Sequence, residues 1–475
     1  MSFFPPKNRY YSLGLKLPLF LLILVHLFIL AKTSFTAWPE MILWPYFLLK
    51  GLLPYRDIAM AHNPLLIFDL AFFYKIFGVS LLSLKIYSWL LVIITDFMLF
   101  FVAKKFIRNS KTTLLVLAFY VFWQPYFEGN GVWFDLVLAP LAILIFYSLH
   151  QKKLFLAGVL TGLSILTKQT AFLFLVPIFF TIWFLFEKKL KTIKEFLFGL
   201  TLPFVLFFAW LFYQGIITDY YFWGVKFGSF YLPKSSGQIQ LPTIKQLLSL
   251  SVPYAFVFLS ILTFIVNRAR NGEEKRKIIL LIIWCFFTAL GVYPRFGLFH
   301  FQPSLPFLAL ISGIMISESS LWFKKHKKAP LLIFLVFIIG GSLYLQGRFY
   351  WLHWRKPDRF FEKETLEAAS WLTKNTKRDE KIFILNSWDH LYALSGTLPA
   401  VSPWVPTLPW YLEYDKIQDG VVADLEVVKP NLIVFEPYRR EGLGSYKPEM
   451  INRFLVENYE LTKIVAGRFW IFVPK

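Results

Sequence analysis

Cysteine occurs once in this 475-residue chain, as Cys285 inside an apolar run, which excludes a disulfide framework and any cysteine-based metal site. Charge is scarce too. Asp, Glu, Lys and Arg make up 17% of the residues against 57% hydrophobic ones, a balance that excludes an ordinary soluble globular protein. Acidic residues are nearly missing from the first three quarters: 12 stand against 32 basic ones up to Gln346, whereas the remaining 129 residues hold 17 acidic and 18 basic. The basic excess therefore follows the apolar segments and reads as membrane topology, not as a nucleic-acid surface. The near-neutral tail has no Gly-rich phosphate loop, no Ser or Cys nucleophile context and no metal-spaced His cluster, so it is expected to bind or cover, not to catalyse.

What the chain does have is apolar length. Runs of about 16 to 22 apolar residues, each long enough to cross the hydrocarbon core as a helix, recur as far as residue 346. A basic flank (Lys7, Arg9, Lys16) precedes the run Leu17 to Leu30 with no clean cleavage pattern after it, which makes it an uncleaved first helix. The run Pro64 to Phe77 is short and carries Asp69 and Lys75, and is read as an amphipathic helix in the membrane interface. Spans are then expected at 86–103, 112–126, 132–149, 154–166, 170–186, 196–213, 247–266, 278–293, 304–322 and 329–346, eleven with the first. This arrangement puts 22 Lys and Arg in cytoplasmic segments and 10 in outer ones. The expected fold is thus a polytopic α-helical membrane domain (1–346) with a large first outer loop (32–85) and a small C-terminal α/β domain (347–475). The N-terminus is cytoplasmic in this reading, the C-terminal domain is outside, and a prokaryotic plasma membrane is the expected location.

In the tail, a helix at 360–374, a buried strand at 381–385, a helix near 420–428, a strand at 431–435, a helix at 449–458 and a hairpin of 461–464 with 469–473 alternate as in a small sheet covered by helices. The candidate site lies elsewhere, in the stretch Trp38 to Leu66. It holds Glu40, Gly51, Pro54-Tyr55-Arg56-Asp57 and His62-Asn63-Pro64, charges with aromatic neighbours at a membrane surface. The apolar run Met41 to Leu49 that follows Glu40 is expected to lie on the membrane.

These features resemble the GT-C glycosyltransferase superfamily, and within it the protein O-mannosyltransferase and aminoarabinose-transferase-like branch. The likeness rests on the early acidic residue, on Gly51-x-x-Pro54-Tyr55-Arg56-Asp57, on a basic residue before Pro64, and on Phe77-Gly78 before the next span. Further on, Gly162 to Thr170, ending in Thr-Lys-Gln-Thr, and Arg295 to Pro306 with His300 match the same branch. The resemblance implies transfer of a sugar from a polyprenyl-phosphate carrier to a hydroxyl of a glycan, lipid or protein acceptor on the outer face, with inversion. It implies membrane lipids as partners and no nucleic acid, and it leaves a divalent metal open.

That chemistry needs a carboxylate to take the acceptor proton and cations to meet the departing phosphate. The branch shows an Asp-Glu pair where this chain reads Pro39-Glu40, so Glu40 and Asp57 both stand as candidate bases, with a helix-start charge as the plain alternative for Glu40. His62, Lys168, Arg295 and His300 are the candidate phosphate cations, expected to converge on one cavity, and Tyr55 and Arg56 are candidates to orient sugar or phosphate. Lys168 stands where positive-inside patterning does not want it. Asp96, mid-span, is read first as hydrogen-bonded to a neighbouring helix, and Glu128 and Asp135 as shaping the acceptor entrance. Two other readings compete: a transporter or flippase of a lipid-linked glycan with Asp96 as coupling residue, and an oligosaccharide polymerase or ligase.

Overall fold

The computed structural model describes residues 15–107, 109–266, 272–322, 328–387 and 390–475. Its long helices in chain order are α1 (Lys16–Lys32), α2 (Glu40–Leu49), α3 (Leu65–Phe77), α4 (Leu81–Ile107), α5 (Ser110–Trp123), α6 (Phe134–His150), α7 (Leu154–Thr167), α8 (Leu175–Leu185) and α9 (Lys189–Tyr213). They continue with α10 (Ile244–Val266), α11 (Gly272–Ala289), α12 (Leu305–Trp322), α13 (Lys328–His353), α14 (Lys363–Asn375), α15 (Ile417–Val428) and α16 (Glu449–Asn458). The chain divides into two compact units. One comprises the segment ending at Phe35 together with Ser88–Phe207 and Ile239–Lys356; the other comprises Thr36–Tyr87, Phe208–Gln238 and Pro357–Lys475.

The first unit is helical, and every expected span falls on a helix. Among the described residues, three helices are long and apolar enough to cross a membrane by length and composition, over Leu81–Ile107, Lys189–Tyr213 and Ile244–Ile261; several others are apolar but shorter. Leu99, Phe146, Trp284 and Phe307 lie at the centre of the core, all buried. The Trp284 indole stacks on Phe307 at 5.1 Å and donates its N–H to Thr181 Oγ1 at 3.0 Å, so its polar end is satisfied inside an apolar interior. Helices α7 and α9 meet through glycines. A methyl group at Gly158 would fall 2.1 Å from the Phe196 carbonyl oxygen, and one at Gly199 2.0 Å from that of Phe155, the close backbone approach that small residues permit between helices in lipid. The outer surface stays apolar: Phe20, Leu21 and Phe28 of α1 and Phe198, Val205 and Leu206 of α9 are exposed, which suits a hydrocarbon solvent and not water.

The second unit gathers pieces distant in sequence around a five-stranded sheet of order β2-β1-β3-β5-β4. Strand β1 (Lys381–Leu385) pairs in parallel with β2 (Leu398–Pro399) and β3 (Ile433–Phe435); β3 pairs antiparallel with β5 (Phe469–Pro474), which closes a hairpin with β4 (Tyr459–Val465). The loop after α1 is built into this unit by main-chain bonds: Ala59 N–H donates to the Trp404 carbonyl (2.9 Å) and Trp404 N–H to that of Asp57 (2.8 Å). Helix α2 is therefore not a membrane-surface helix. Met41 to Phe47 are all buried within the unit, which corrects the expectation that this run lies on the membrane. Helix α3, at 13 residues, spans only ~20 Å, too short for a bilayer. It buries Leu66, Ile67 and Leu70 and exposes Phe72 and Ile76, while Asp69 takes a hydrogen bond from the Tyr87 hydroxyl. A feature absent from the sequence reading is the π-helix Tyr221–Tyr231, in which Gly228 lies against the Ala61 carbonyl so closely that a methyl group there would come within 2.2 Å.

Candidate active site

Glu40 opens α2 as its only acidic first-turn residue, a position that favours a carboxylate beside unpaired backbone N–H groups. One of its oxygens, Oε2, is buried, and the side chain borders a small enclosed cavity together with Ser387, Tyr392, Trp404 and Thr407. Tyr411 lies close enough to feel its charge: burial drives that phenol's pKa well up, and the Glu40 carboxylate raises it further. Asp57 has a different setting. Its Oδ2 accepts the Leu53 N–H at 2.7 Å and its Oδ1 the Ser402 hydroxyl at 3.4 Å, so the carboxylate closes the turn 53–57 and ties it to the C-terminal segment. Arg56 Nε stands 3.6 Å from Asp57 Oδ2 with its side chain half exposed.

Tyr55 has a left-handed backbone (φ 71°), uncommon for a bulky residue. Its ring is buried and its hydroxyl donates to the His62 carbonyl at 3.0 Å, so the phenol holds the loop. His62 is half-buried in the same loop, before Asn63, which accepts a hydrogen bond from Tyr220 at 3.3 Å.

In the helical unit, Lys168 sits where α7 ends and the chain becomes extended, and its ammonium donates to both oxygens of Asp135, at 2.8 and 2.6 Å. His300, in a short 3-10 turn before α12, brings Nδ1 to 3.0 Å from Lys168 Nζ and 2.8 Å from Asp135 Oδ2. Burial pushes the His300 pKa below its ordinary value, as do the charges of Lys168 and Arg295, against the opposing pull of Asp135. Nδ1 faces the ion pair, which leaves Nε2 on the opposite side of the ring. Arg295 is half-buried, on a segment held by the Phe296 N–H to Gln240 carbonyl bond (2.9 Å). Three of the four candidate cations therefore belong to one neighbourhood of the helical unit, and His62 belongs to the other unit.

Asp135, read from the sequence only as shaping an entrance, is the partner on which Lys168 and His300 converge; nothing in its local pattern announces this, because its partners lie 33 and 165 residues away. Asp96 is bonded to His26 of α1 at 2.9 Å, and the other nitrogen of that ring contacts Gln124 at 3.1 Å. Gln124 in turn donates to the Gly129 carbonyl and Gln302 to that of Phe127, which ties the 124–131 loop to the segment carrying His300. Among the described residues, no group of three His, Cys, Asp or Glu side chains is arranged to hold a metal ion.

With this geometry in view, the similarities to known proteins are informative. Residues 61–213 match the family model of dolichyl-phosphate-mannose-protein mannosyltransferase. Over nearly its whole length the chain superposes on ArnT from Cupriavidus metallidurans bound to undecaprenyl phosphate, with a TM-score of 0.62 and 10% identity, covering 97% of this chain and 98% of that one. The chain thus has the fold of ArnT. The oligosaccharyltransferase of Archaeoglobus fulgidus, crystallised with a tethered acceptor peptide, shares the fold with a TM-score of 0.55 and 10% identity, over 99% of this chain and 75% of that one. An uncharacterized protein of Aquifex aeolicus is 24% identical over 310 residues, and the match spans 61% of this chain and 59% of that protein's length.

Proposed function

We propose that the protein is an integral membrane glycosyltransferase that moves a sugar from a polyprenyl-phosphate donor to an acceptor hydroxyl on the outer face of the membrane, by a single inverting displacement, with eleven spans and the C-terminal domain outside. The observation that carries the choice of base is the contrast between two carboxylates. Asp57 accepts from a backbone N–H and a hydroxyl that close a turn, whereas Glu40 borders a cavity. An acceptor hydroxyl is a weak nucleophile at neutral pH and needs a carboxylate at hydrogen-bond distance to take its proton as the new bond forms. Glu40 fills that role. On the donor side, Arg295 is the cation for the departing phosphate, and His300 donates a hydrogen bond to it from Nε2 where Nδ1 accepts from the Lys168 ammonium. The likeness to ArnT bound to undecaprenyl phosphate supports a polyprenyl lipid as the carrier. In the transport reading Asp96 would act from its bond to His26.

The test is a screen of lipid-linked sugars with the purified protein in liposomes. One of them should be consumed, and Glu40→Gln should lower transfer by about 10² or more while donor binding persists. Near-normal turnover in Glu40→Gln beside an inactive Asp57→Asn would move the role to Asp57.

A further inference from the structure

Helices α1 and α5 of the helical unit pack along a seam that is closed at one end and open at the other. Toward their C-terminal ends His26 of α1 meets Gln124, the residue after α5, at 3.1 Å, and Leu117 and Val121 of α5 are buried in a cluster with Leu19, Leu22 and Ile29 of α1. Toward their starts the seam opens into a groove of about 620 Å³, a volume in the range of ligand sites. Helix α1 lines it through Pro18, Leu21 and Val25, and α5 through Lys111, Leu115 and Ala118, residues three or four apart on one face of each helix. Leu21, Val25 and Leu115 are exposed, so the groove opens on the hydrocarbon side. Its lining is apolar except at one end. Lys111, in the first turn of α5, brings a charge, and its ammonium has no hydrogen bond or ion pair among the described residues. Lys16 opens α1, and Lys104 and Lys105 stand in the last turn of α4, just before α5 begins. These three helix turns hold four lysines and no acidic residue.

We propose that this groove is a binding site for one anionic glycerophospholipid of the leaflet in which α1 and α5 begin, the cytoplasmic leaflet in the proposed topology. An acyl chain lies between the two helices and the lipid phosphate meets Lys111. The chain restores the dispersion contacts that an empty groove forfeits, and the phosphate gives the ammonium a charge-assisted partner. Both parts are needed. A neutral lipid fills the groove and leaves Lys111 unmatched, whereas a free anion matches Lys111 and leaves the groove empty. Basic pockets between helices on the cytoplasmic side recognise anionic head groups in this way. A polyprenyl phosphate carries the same two parts, but the phosphate contacts proposed for it lie at the other end of the helix. Gln302, two residues from His300, donates to the Gln124 carbonyl at 3.3 Å, and Gln124 is about 20 Å along α5 from Lys111. The occupant near Lys111 is therefore a bilayer phospholipid.

The proposal needs the membrane reading and not the transfer reading, so its test uses no sugar donor. The full chain in detergent is titrated with dioleoyl phosphatidylglycerol or dioleoyl phosphatidylcholine, and the lipid retained is counted by native mass spectrometry. One phosphatidylglycerol should be held in preference to phosphatidylcholine. Lys111→Gln should weaken phosphatidylglycerol binding by about fivefold, the scale of one lysine against an anionic surface, and leave phosphatidylcholine unchanged. Lys191→Gln, at an exposed lysine of α9 outside the groove, should change neither. Ala118→Phe on α5 and Val25→Trp on α1 each put a ring into the groove from a different wall, and each should weaken both lipids. Unfolding midpoints of the lipid-free variants identify one that fails to fold. Equal loss of phosphatidylglycerol in Lys111→Gln and Lys191→Gln would mean that head groups follow the general charge of the surface, and the site falls. Undecaprenyl phosphate should bind Lys111→Gln as well as the native protein. If it instead displaces phosphatidylglycerol and is itself weakened by Lys111→Gln, the occupant is the carrier and the phospholipid proposal falls. The transfer reading stands or falls separately, on consumption of a lipid-linked sugar.

Discussion

Lys168 and Asp135 form their pair with only 5% and 1% of their side-chain surfaces exposed, whereas the Arg56 and Asp57 pair stands at 3.6 Å with 53% and 23% exposed. Both are Lys or Arg beside Asp, but only Arg56 and Asp57 are neighbours in the sequence; Lys168 and Asp135 meet across 33 residues. Burial separates them. A desolvated pair is held together because neither charge has water to return to, so losing one partner strands the other. A wet pair is worth little as a pair, and what keeps Asp57 in place is its bond to the Leu53 N–H. The helical unit thus spends charge on fixing His300, and the sheet-containing unit leaves Glu40 beside a small cavity.

The comparison breaks most visibly at Asp135. Asp135→Asn leaves the Lys168 ammonium buried without a counter-charge, and should cost about 3–5 kcal/mol, read as a lower midpoint of thermal unfolding in detergent. Joint replacement, Asp135→Leu with Lys168→Met, should recover most of that loss, because two apolar groups of similar volume need no pairing. If the single and double variants unfold alike, the pair is not what holds His300.

The wet counterpart should respond weakly. Asp57→Asn keeps a side-chain oxygen to accept the Leu53 N–H and loses only charge, so stability should fall by about 1 kcal/mol or less and transfer by no more than a few-fold. Equal losses of transfer in Asp57→Asn and Glu40→Gln would erase the distinction between the two carboxylates.

Why one region was legible and the other not follows from the range of the signals. Hydrophobic period and length are local, so the apolar helices, the strand Lys381–Leu385 and the helix Glu449–Asn458 could be read from their own residues. The run Met41 to Leu49 reads as a membrane-surface segment because a membrane and a protein interior are equally apolar, and only the partners that bury its first seven residues, which arrive from the C-terminal segment, tell them apart. The π-helix Tyr221–Tyr231 escaped for a related reason: mixed aromatic and glycine residues have no α period, and the packing of Gly228 on Ala61 is a tertiary fact. Lys168 was flagged because a charge in an apolar setting is costly, a local signal; the identity of its partner was not, since Asp135 and His300 are neighbours only after folding.

The smallest expected effect sharpens the comparison through pH. His300 has its pKa held below the ordinary histidine value, first by burial and then by the Lys168 and Arg295 charges, so the folded protein binds its proton less readily than the unfolded chain does. Stability from this group is therefore complete above the unfolded pKa of roughly 6.5 and is lost as pH falls from there through the lower folded value, because the unfolded state takes up the proton first. Protonation in the folded state would set two cations on one carboxylate, since Nδ1 and Lys168 Nζ both reach Asp135. Other buried histidines slope the same way; the His390 pKa, driven down to about 3 mainly by burial, is one. The informative quantity is the difference between the native protein and His300→Gln. Their unfolding midpoints should differ by a constant above pH 7 and converge as the pH is lowered toward 5, while a difference independent of pH would mean that the ring titrates alike in both states.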